Sequence, residues 1–172
     1  WIVYAGSLGE TYDMDVLKDV ILKFSGNNKI RFFIAGKGPH EETFRKLEQN
    51  NFHFLGDLIP SELLYLYSKS DLLLATYSKT STVSIPLKAF DSISQNLPII
   101  SSLEQGDLFD LIQNKKIGFT YEGGNVASLV KVLNDFINNE NLILEAKQNI
   151  EKIKLEYSLE NQYDEYLKHI IE

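Results

Sequence analysis

Short apolar runs alternate with amphipathic segments along the chain. Six short runs are predominantly apolar, at residues 1–5, 30–35, 52–55, 72–75, 98–101 and 118–121. Between and after them, helical spacing predicts helices at about 16–24, 40–49, 60–68, 86–95, 107–113, 125–137, 141–153 and 159–171. Continuous apolar strands that alternate with helices are typical of a parallel sheet covered on both faces. We therefore predict an α/β fold, a doubly wound, Rossmann-like parallel sheet of about six strands.

The 172 residues predict one domain, 1–172, because no linker, repeat or low-complexity tract divides them. The chain opens within a predicted strand, at Trp1, without an initiator methionine. We expect a fragment of a longer, two-domain protein. The last predicted helix carries an apolar stripe that indicates core packing or a contact with the rest of that protein: Tyr163, Tyr166, Leu167, Ile170 and Ile171.

The amino-acid composition of the chain argues against several classes of function. Apolar residues make up 44% of the chain, enough for a sizeable core. A net charge of −7 argues against broad binding to nucleic acid or anionic lipid, but it leaves room for a small anion held at a helix N-terminus. No apolar run approaches the roughly 20 residues that cross a bilayer. The absence of cysteine removes disulfide and thiolate chemistry and fits the cytoplasmic location that we expect.

Glycine-bearing turns follow the first two strands, where a doubly wound sheet binds its ligands. Gly6 and Gly9 stand between a strand and a helix, so their backbone N–H groups could approach a phosphate, or the turn could simply be tight. No third glycine completes a dinucleotide fingerprint. Gly36 and Lys37 occupy the next turn, which lacks a P-loop ending; they face the ligand cleft or form an ordinary turn before a helix.

Residues 84–91 indicate a ligand-binding site more specifically than the two glycine-bearing turns do. Pro86 suits the first turn of a helix, and Lys88 and Asp91 then lie on one face. An ammonium beside free helix N–H groups favours a diphosphate, and a carboxylate one turn later can accept hydrogen bonds from a ribose diol. The alternative is an ordinary surface ion pair.

Metal ligation is not predicted. His40, His53 and His169 are scattered, and no histidine or carboxylate cluster has metal spacing. Asp13 and Asp15 are better explained as helix-capping residues. We expect neither a metal nor a cofactor.

Taken in order, several segments resemble the C-terminal, nucleotide-sugar-binding domain of GT-B glycosyltransferases, in particular the retaining family 4 (group 1). The matching segments are residues 3–9, 34–39, 54–58, 70–74, 85–91, 97–100, 118–119 and the helix at about 125–137.

The resemblance implies a donor-binding role for Gly6, Gly9, Gly36, Lys37, Leu58, Ser84, Pro86, Lys88 and Asp91. Asp91 stands where the family has a glutamate that holds the donor ribose. Leu58 matches a position whose backbone meets the base. Val83 replaces a second family acid that contacts the donor sugar, and the basic pair that often grips the diphosphate is missing near Gly9, which places more weight on Lys88. The catalytic residues stay unknown.

The resemblance also implies the activity: transfer of a sugar from a nucleoside-diphosphate sugar to a glycan or lipid-linked acceptor, as in bacterial polysaccharide biosynthesis. The acceptor site would lie in a missing N-terminal domain, so the fragment alone should be inactive. The full-length protein could touch a membrane peripherally. Two alternatives remain open: a GT-B-like sugar-nucleotide epimerase, and a non-catalytic binding or scaffold domain, which the loss of the acid at Val83 favours.

Overall fold

A six-stranded, all-parallel sheet lies at the centre of the computed structural model, which describes residues 1–157. The strand order is β3-β2-β1-β4-β5-β6. The strands are β1 (Ile2–Ala5), β2 (Phe32–Ala35), β3 (Phe52–Gly56), β4 (Leu72–Ala75), β5 (Ile99–Ser101) and β6 (Gly118–Thr120). The prediction of a doubly wound α/β sheet is therefore confirmed.

Seven helices connect and cover these strands within the described residues. They are α1 (Met14–Lys23), α2 (Glu41–Arg45), α3 (Pro60–Lys69), α4 (Leu87–Ser94), α5 (Asp107–Lys115), α6 (Val126–Asn138) and α7 (Asn141–Ile153). The helix predicted at 159–171, with its stripe of Tyr163, Tyr166, Leu167, Ile170 and Ile171, lies outside the described residues.

Burial explains the continuous apolar runs. Every residue of β1, β2, β4 and β5 is buried, whereas the edge strands β3 and β6 are partly exposed. Helices α1 and α6 pack with Phe44 of α2 on one face of the sheet. Helices α3, α4, α5 and α7 pack on the other face. The apolar core thus has two layers, one on each side of the sheet.

Helix α2 is shorter than the predicted 40–49. It ends at Arg45, and the chain turns so that the buried amide of Asn51 donates to the carbonyl oxygen of Phe24 at 2.8 Å. This side-chain bond anchors the segment just before β3, and after Arg45 the chain turns with the N–H of Leu47 bonded to the carbonyl of Phe44.

The strand order places a crevice at the carboxyl ends of β1 and β4. From β1 the chain proceeds outward through β2 to β3, then returns to add β4 on the other side of β1. Loops that leave β1 and β4 consequently diverge to opposite faces of the sheet and leave an opening between them. The turn that contains Gly6 and the segment that leads into α4 border this opening.

Candidate functional site

A cleft of about 620 Å³ lies at this end of the sheet. Seven of the nine predicted donor-binding residues line it: Gly6, Gly36, Lys37, Leu58, Pro86, Lys88 and Asp91. Ser7, Tyr12, Asp57, Tyr67, Tyr77 and Val83 are among the other lining residues. Residues from four separate segments of the sequence therefore meet at the predicted place.

Lys88 is the buried cation of the cleft. Its side chain is only 7% exposed, and Nζ lies 4.8 Å from the ring centroid of Tyr4 and 4.9 Å from that of Tyr12. No carboxylate oxygen of the described residues lies within salt-bridge distance of Nζ. Burial lowers the pKa of Lys88 to about 8, against a smaller opposing effect of Asp91. The ordinary surface ion pair, considered as an alternative, is not formed.

Gly6 makes room for this lysine. Its φ of +144° is one that residues with a side chain rarely adopt, and a Cβ built on it would lie 2.6 Å from Lys88 Nζ. The backbone N–H of Gly6 donates to the carbonyl of Ala35, so it is not free for a ligand. Gly6 shapes the cleft by allowing Lys88 to lie against the backbone.

The N-terminus of α4 opens into the same cleft. Pro86 caps the helix in an extended conformation, and Pro86, Leu87 and Lys88 all line the cleft. The backbone N–H groups of Leu87 and Lys88 have no hydrogen-bond partner among the described residues. Unpaired amides at the positive end of a helix dipole are suited to an anion.

Asp91 lies one turn further along α4 and is partly buried. The hydroxyl of Tyr67 donates to Oδ2 of Asp91 at 3.3 Å, and Oδ1 has no partner among the described residues. Burial raises the pKa of Asp91, while the Tyr67 hydrogen bond and Lys88 oppose that rise. Tyr67 therefore orients the carboxylate and leaves one oxygen available.

Gly36 and Lys37 have different roles. A Cβ on Gly36 would lie 1.8 Å from the carbonyl oxygen of Gly6, so this glycine allows the first two turns to touch. Lys37 lies at the exposed rim, where its Nζ is 2.7 Å from Oδ2 of Asp57. That partner raises the pKa of Lys37. The rim thus carries a neutralised pair, and Lys88 is the cation inside.

Gly9 and Ser84 do not line the cleft. The carbonyl of Gly9 accepts from the N–H of Tyr12 at 3.1 Å, which closes the turn before α1. The hydroxyl of Ser84 accepts from the N–H of Asp107, and its carbonyl accepts from the N–H of Leu108, both at 3.0 Å. Ser84 thus holds the start of α5, and its polar atoms are occupied there.

Comparison with known proteins decides the family. Residues 1–153 match the family model of glycosyl transferases, group 1.

The chain belongs to the group 1 glycosyl transferases.

A relative from Haemophilus influenzae, described as an uncharacterized glycosyltransferase, is 24% identical over 136 residues. The match covers 77% of this chain and 38% of that protein, so the chain spans well under half the length of this curated relative. This agrees with the resemblance noted in the sequence.

Solved structures share the fold. The C-terminal domain of a group 1 glycosyl transferase (LpcC) from Francisella tularensis superposes with a TM-score of 0.74 at 15% identity, over 92% of this chain and 87% of that one. Anabaena Alr3699/HepE, solved in complex with UDP, gives 0.76 at 17% identity over 98% and 48%. S. aureus TarM, solved with UDP among its ligands, gives 0.75 at 21% identity over 97% and 34%.

In this group 1 glycosyl transferase chain, four tyrosines that the sequence did not indicate lie beside Lys88 and Asp91. Tyr4, Tyr12 and Tyr77 surround Lys88, and Tyr67 holds Asp91. Tyr4 and Tyr77 stand near the ends of β1 and β4, the two adjacent central strands. The sequence does show an aromatic residue at the end of each of these two predicted strands. That Tyr4 and Tyr77 lie close together follows only once the order of the strands in the sheet is known.

Two other expectations concern metals and capping. The described residues contain no group of three or more histidine, aspartate or glutamate side chains placed to hold a metal ion. Asp13 occupies the N-cap position of α1 and Asp15 lies in its first turn, and the carboxylate of Asp13 also accepts from the N–H of Gly124 at 2.6 Å. No helix among residues 1–157 has both the length and the apolar character of a membrane span.

Proposed function

We propose that this chain binds a nucleoside-diphosphate sugar in the cleft and serves as the donor-binding half of a retaining glycosyltransferase. The observation that carries the proposal is the convergence of Lys88, the open amides of α4 and Asp91 on one cleft. Family membership and the fold shared with proteins solved with UDP support it.

The diphosphate would lie between Lys88 and the N-terminus of α4. Among residues 1–157, Lys88 Nζ has no anionic partner, and the N–H groups of Leu87 and Lys88 have no hydrogen-bond partner. These groups would stabilise the negative charge that grows on the departing diphosphate as the bond to the sugar breaks. Since the protein supplies this charge compensation, we propose that binding needs no metal ion.

The nucleoside would extend towards Asp91 and Leu58. The free Oδ1 of Asp91 can accept from a ribose hydroxyl, and Leu58 follows the turn after β3 at the other side of the cleft. A base between these positions would lie against a wall that contains the side chain of Leu63. Leu58 then contributes backbone groups and an apolar surface.

Val83 supports a second candidate function. Its side chain lines the cleft and is 40% exposed, at the position where the family resemblance implies an acid that contacts the donor sugar. An isopropyl group cannot hydrogen-bond a sugar hydroxyl. A domain that binds nucleotide without assisting transfer is therefore the alternative to an active transferase.

The wider context of the proposal comes from the longer relatives. We propose that an N-terminal domain supplies the acceptor site, that the acceptor is a glycan or a lipid-linked intermediate, and that the protein acts on the cytoplasmic side of a bacterial membrane in polysaccharide biosynthesis. A structural neighbour described as WaaG, a glycosyltransferase involved in lipopolysaccharide biosynthesis, supports this context with a TM-score of 0.70 over 99% of this chain.

Calorimetric titration of the chain with UDP, GDP and ADP tests the binding proposal. We expect one of them to bind, also in the presence of EDTA. Lys88→Ala should weaken that binding on the order of 10- to 100-fold, since a charge-assisted contact is lost. The matched control is Lys69→Ala, which removes an exposed lysine that also lies over a tyrosine ring, at 5.5 Å. Equal affinities of the two variants would contradict the proposed site.

Product analysis separates the catalytic alternatives. A longer protein that contains this chain should transfer sugar from the bound donor to an acceptor with retention at the anomeric carbon. Release of an epimerised sugar nucleotide would identify an epimerase. Binding without turnover would identify the non-catalytic alternative.

A further inference from the structure

We propose that the rings of Tyr4, Tyr12 and Tyr77 hold Lys88 in the cleft in place of a carboxylate partner, so that nucleoside-diphosphate binding is coupled to proton uptake by this lysine. The inference rests on the proposed function and adds a pH response to the same site. The three tyrosines are called the tyrosine cage below, and they act as positioning residues for Lys88.

The tyrosine cage is built from three segments. Tyr4 lies in β1, Tyr12 in the turn before α1, and Tyr77 just after β4. Lys88 Nζ is 4.8, 4.9 and 6.0 Å from their respective ring centroids. These distances are within the range of cation–π attraction. A lysine in this position is held by aromatic faces and by the backbone of Gly6.

The cage is fixed before any ligand binds. The ring of Tyr12 packs against that of Tyr77 at 5.3 Å and meets that of Tyr4 edge-on at 6.2 Å. The hydroxyl of Tyr4 donates to the carbonyl of Ser7, which fixes the position of the end of its ring. Tyr4 and Tyr77 are buried, and Tyr12 forms the partly exposed wall. The lysine therefore does not need to be recruited from solvent.

Neither of the two carboxylates of the cleft forms an ion pair with Lys88. Asp91, on the same helix, is occupied on one oxygen by Tyr67 and does not form an ion pair with Lys88. At the rim, Lys37 and Asp57 neutralise each other. Burial raises the pKa values of Tyr4 and Tyr77, so their hydroxyls stay neutral above pH 8.

Lys88 is consequently a group of the cleft whose charge changes near pH 8. Burial lowers its pKa to about 8, so part of the free protein carries an uncharged amine at physiological pH. A diphosphate beside Nζ favours the ammonium form, and binding must then raise this pKa. By linkage, the affinity is highest below pH 8 and falls as pH rises through 8.

The expected size of the effect follows from the titration curve. If the bound lysine stays protonated, the dissociation constant should rise about fourfold between pH 7.0 and pH 8.5. Binding at pH 8 should take up about half a proton. The diphosphate itself contributes little, since the second ionisation of a phosphate group has a pKa near 6 and is mostly complete at pH 7.0, where the titration begins.

Calorimetry with UDP at pH 7.0, 8.0 and 8.5 measures the dissociation constant at each pH. Repeating it in two buffers of different ionisation enthalpy measures the number of protons taken up on binding. The control variant is Lys88→Arg, because a guanidinium stays charged throughout this range. We expect no proton uptake by Lys88→Arg and no pH dependence of its affinity. Wild-type affinity that is constant from pH 7.0 to 8.5 without proton uptake would overturn the coupling while leaving the proposed function intact. Failure of the wild-type chain to bind UDP, GDP or ADP at any pH would overturn the proposed function, and this inference with it.

Substitution of Tyr12, the partly exposed wall of the tyrosine cage, tests the role of the cage. Tyr12→Ala lets water reach Lys88, so the pKa of the lysine should return towards its ordinary value, and proton uptake at pH 8 should drop below half the wild-type value. UDP affinity at pH 7.0 should fall about threefold or more, because Lys88 is then held less firmly in position for the diphosphate. Tyr12→Phe keeps the ring and should rescue both properties. Equal proton uptake by Tyr12→Ala and Tyr12→Phe would overturn the role of the cage.

Discussion

Lys88 Nζ occupies space beside the backbone of Gly6, only 2.6 Å from where a Cβ on residue 6 would stand. Gly6 belongs to the turn after β1, and Lys88 belongs to the first turn of α4, which follows β4. The segments that follow the two central strands thus bring Gly6 and Lys88 together, and Lys88 fits there only because Gly6 has no side chain. The shape of the cleft and the position of its cation are set by the same contact.

Substitution of Gly6 should therefore disturb ligand binding. Gly6→Ala adds a methyl group in the path of Lys88 Nζ, and the flexible end of the lysine must move away from the cage. We expect UDP affinity to fall on the order of tenfold, because the displaced ammonium no longer faces the diphosphate. Calorimetric titration measures the change.

Gly26→Ala is the control for backbone strain. Gly26 has a φ of +75°, but no heavy atom lies within 4 Å of a Cβ built there, and it is remote from the cleft. This variant should lose on the order of 1 kcal/mol of stability from strain alone, with UDP affinity intact. If Gly6→Ala binds UDP as well as Gly26→Ala does, the fit between Gly6 and Lys88 has no role in binding.

The assignment of ribose to Asp91 predicts a ligand-dependent effect of Tyr67. Tyr67→Phe removes the hydrogen bond that orients Oδ2 of Asp91. UDP should bind several-fold more weakly, whereas inorganic pyrophosphate, which has no ribose, should bind as before. Tyr65→Phe, an exposed substitution on the same helix, is the control. If Tyr67→Phe weakened the binding of UDP and of pyrophosphate equally, the assignment of the ribose to Asp91 would be wrong.

The contacts of Ser84 predict a structural effect. Ser84→Ala removes the hydroxyl that accepts from the N–H of Asp107 at the start of α5. We expect a loss of about 1 kcal/mol in unfolding free energy, similar to the loss of a helix cap. Urea denaturation measures it, with Ser68→Ala on the exposed face of α3 as the control. If Ser84→Ala left the stability unchanged and greatly reduced UDP affinity, Ser84 would have a role in ligand binding and not the structural role assigned here.

The buried Lys88 also makes stability depend on pH. Its pKa is about 8 in the folded protein and near 10.5 in the unfolded chain, so the unfolded state binds more protons between these values. Stability contributed by this group therefore rises with pH, by about 2 kcal/mol from pH 7.5 to 9.5. Lys88→Met should abolish that rise, measured as the difference between wild-type and variant urea curves. A constant difference across this range would show that Lys88 has an ordinary pKa.

Much of the fold followed from the sequence, for a physical reason. A strand that is buried on both faces is mostly apolar, so β1, β2 and β4 were visible as unbroken apolar runs, and β5 as a run that ends in the buried Ser101. Helix α2 was predicted too long: the chain turns after Arg45, and the segment before β3 is anchored by the bond from Asn51 to the Phe24 carbonyl, which joins residues that are distant in sequence. Local patterning contains no information about such a contact.

The site was only partly predictable for the same reason. Pro86, Lys88 and Asp91 share one short helix, so their common face followed from helical spacing. The tyrosine cage draws on three separate segments, and only the strand order brings them together. Ser84 lies close to these residues in sequence but turns to α5, which spacing alone could not show.

The most direct test of the account is a map of UDP-induced chemical-shift changes on the amide resonances of the 172-residue chain. We predict the largest changes at the backbone N–H groups of Leu87 and Lys88, with smaller ones at Ser7 and Leu58, and their loss in Lys88→Ala. The account would be contradicted if UDP, GDP and ADP left these amides unchanged, or if the changes clustered on a different surface of the chain.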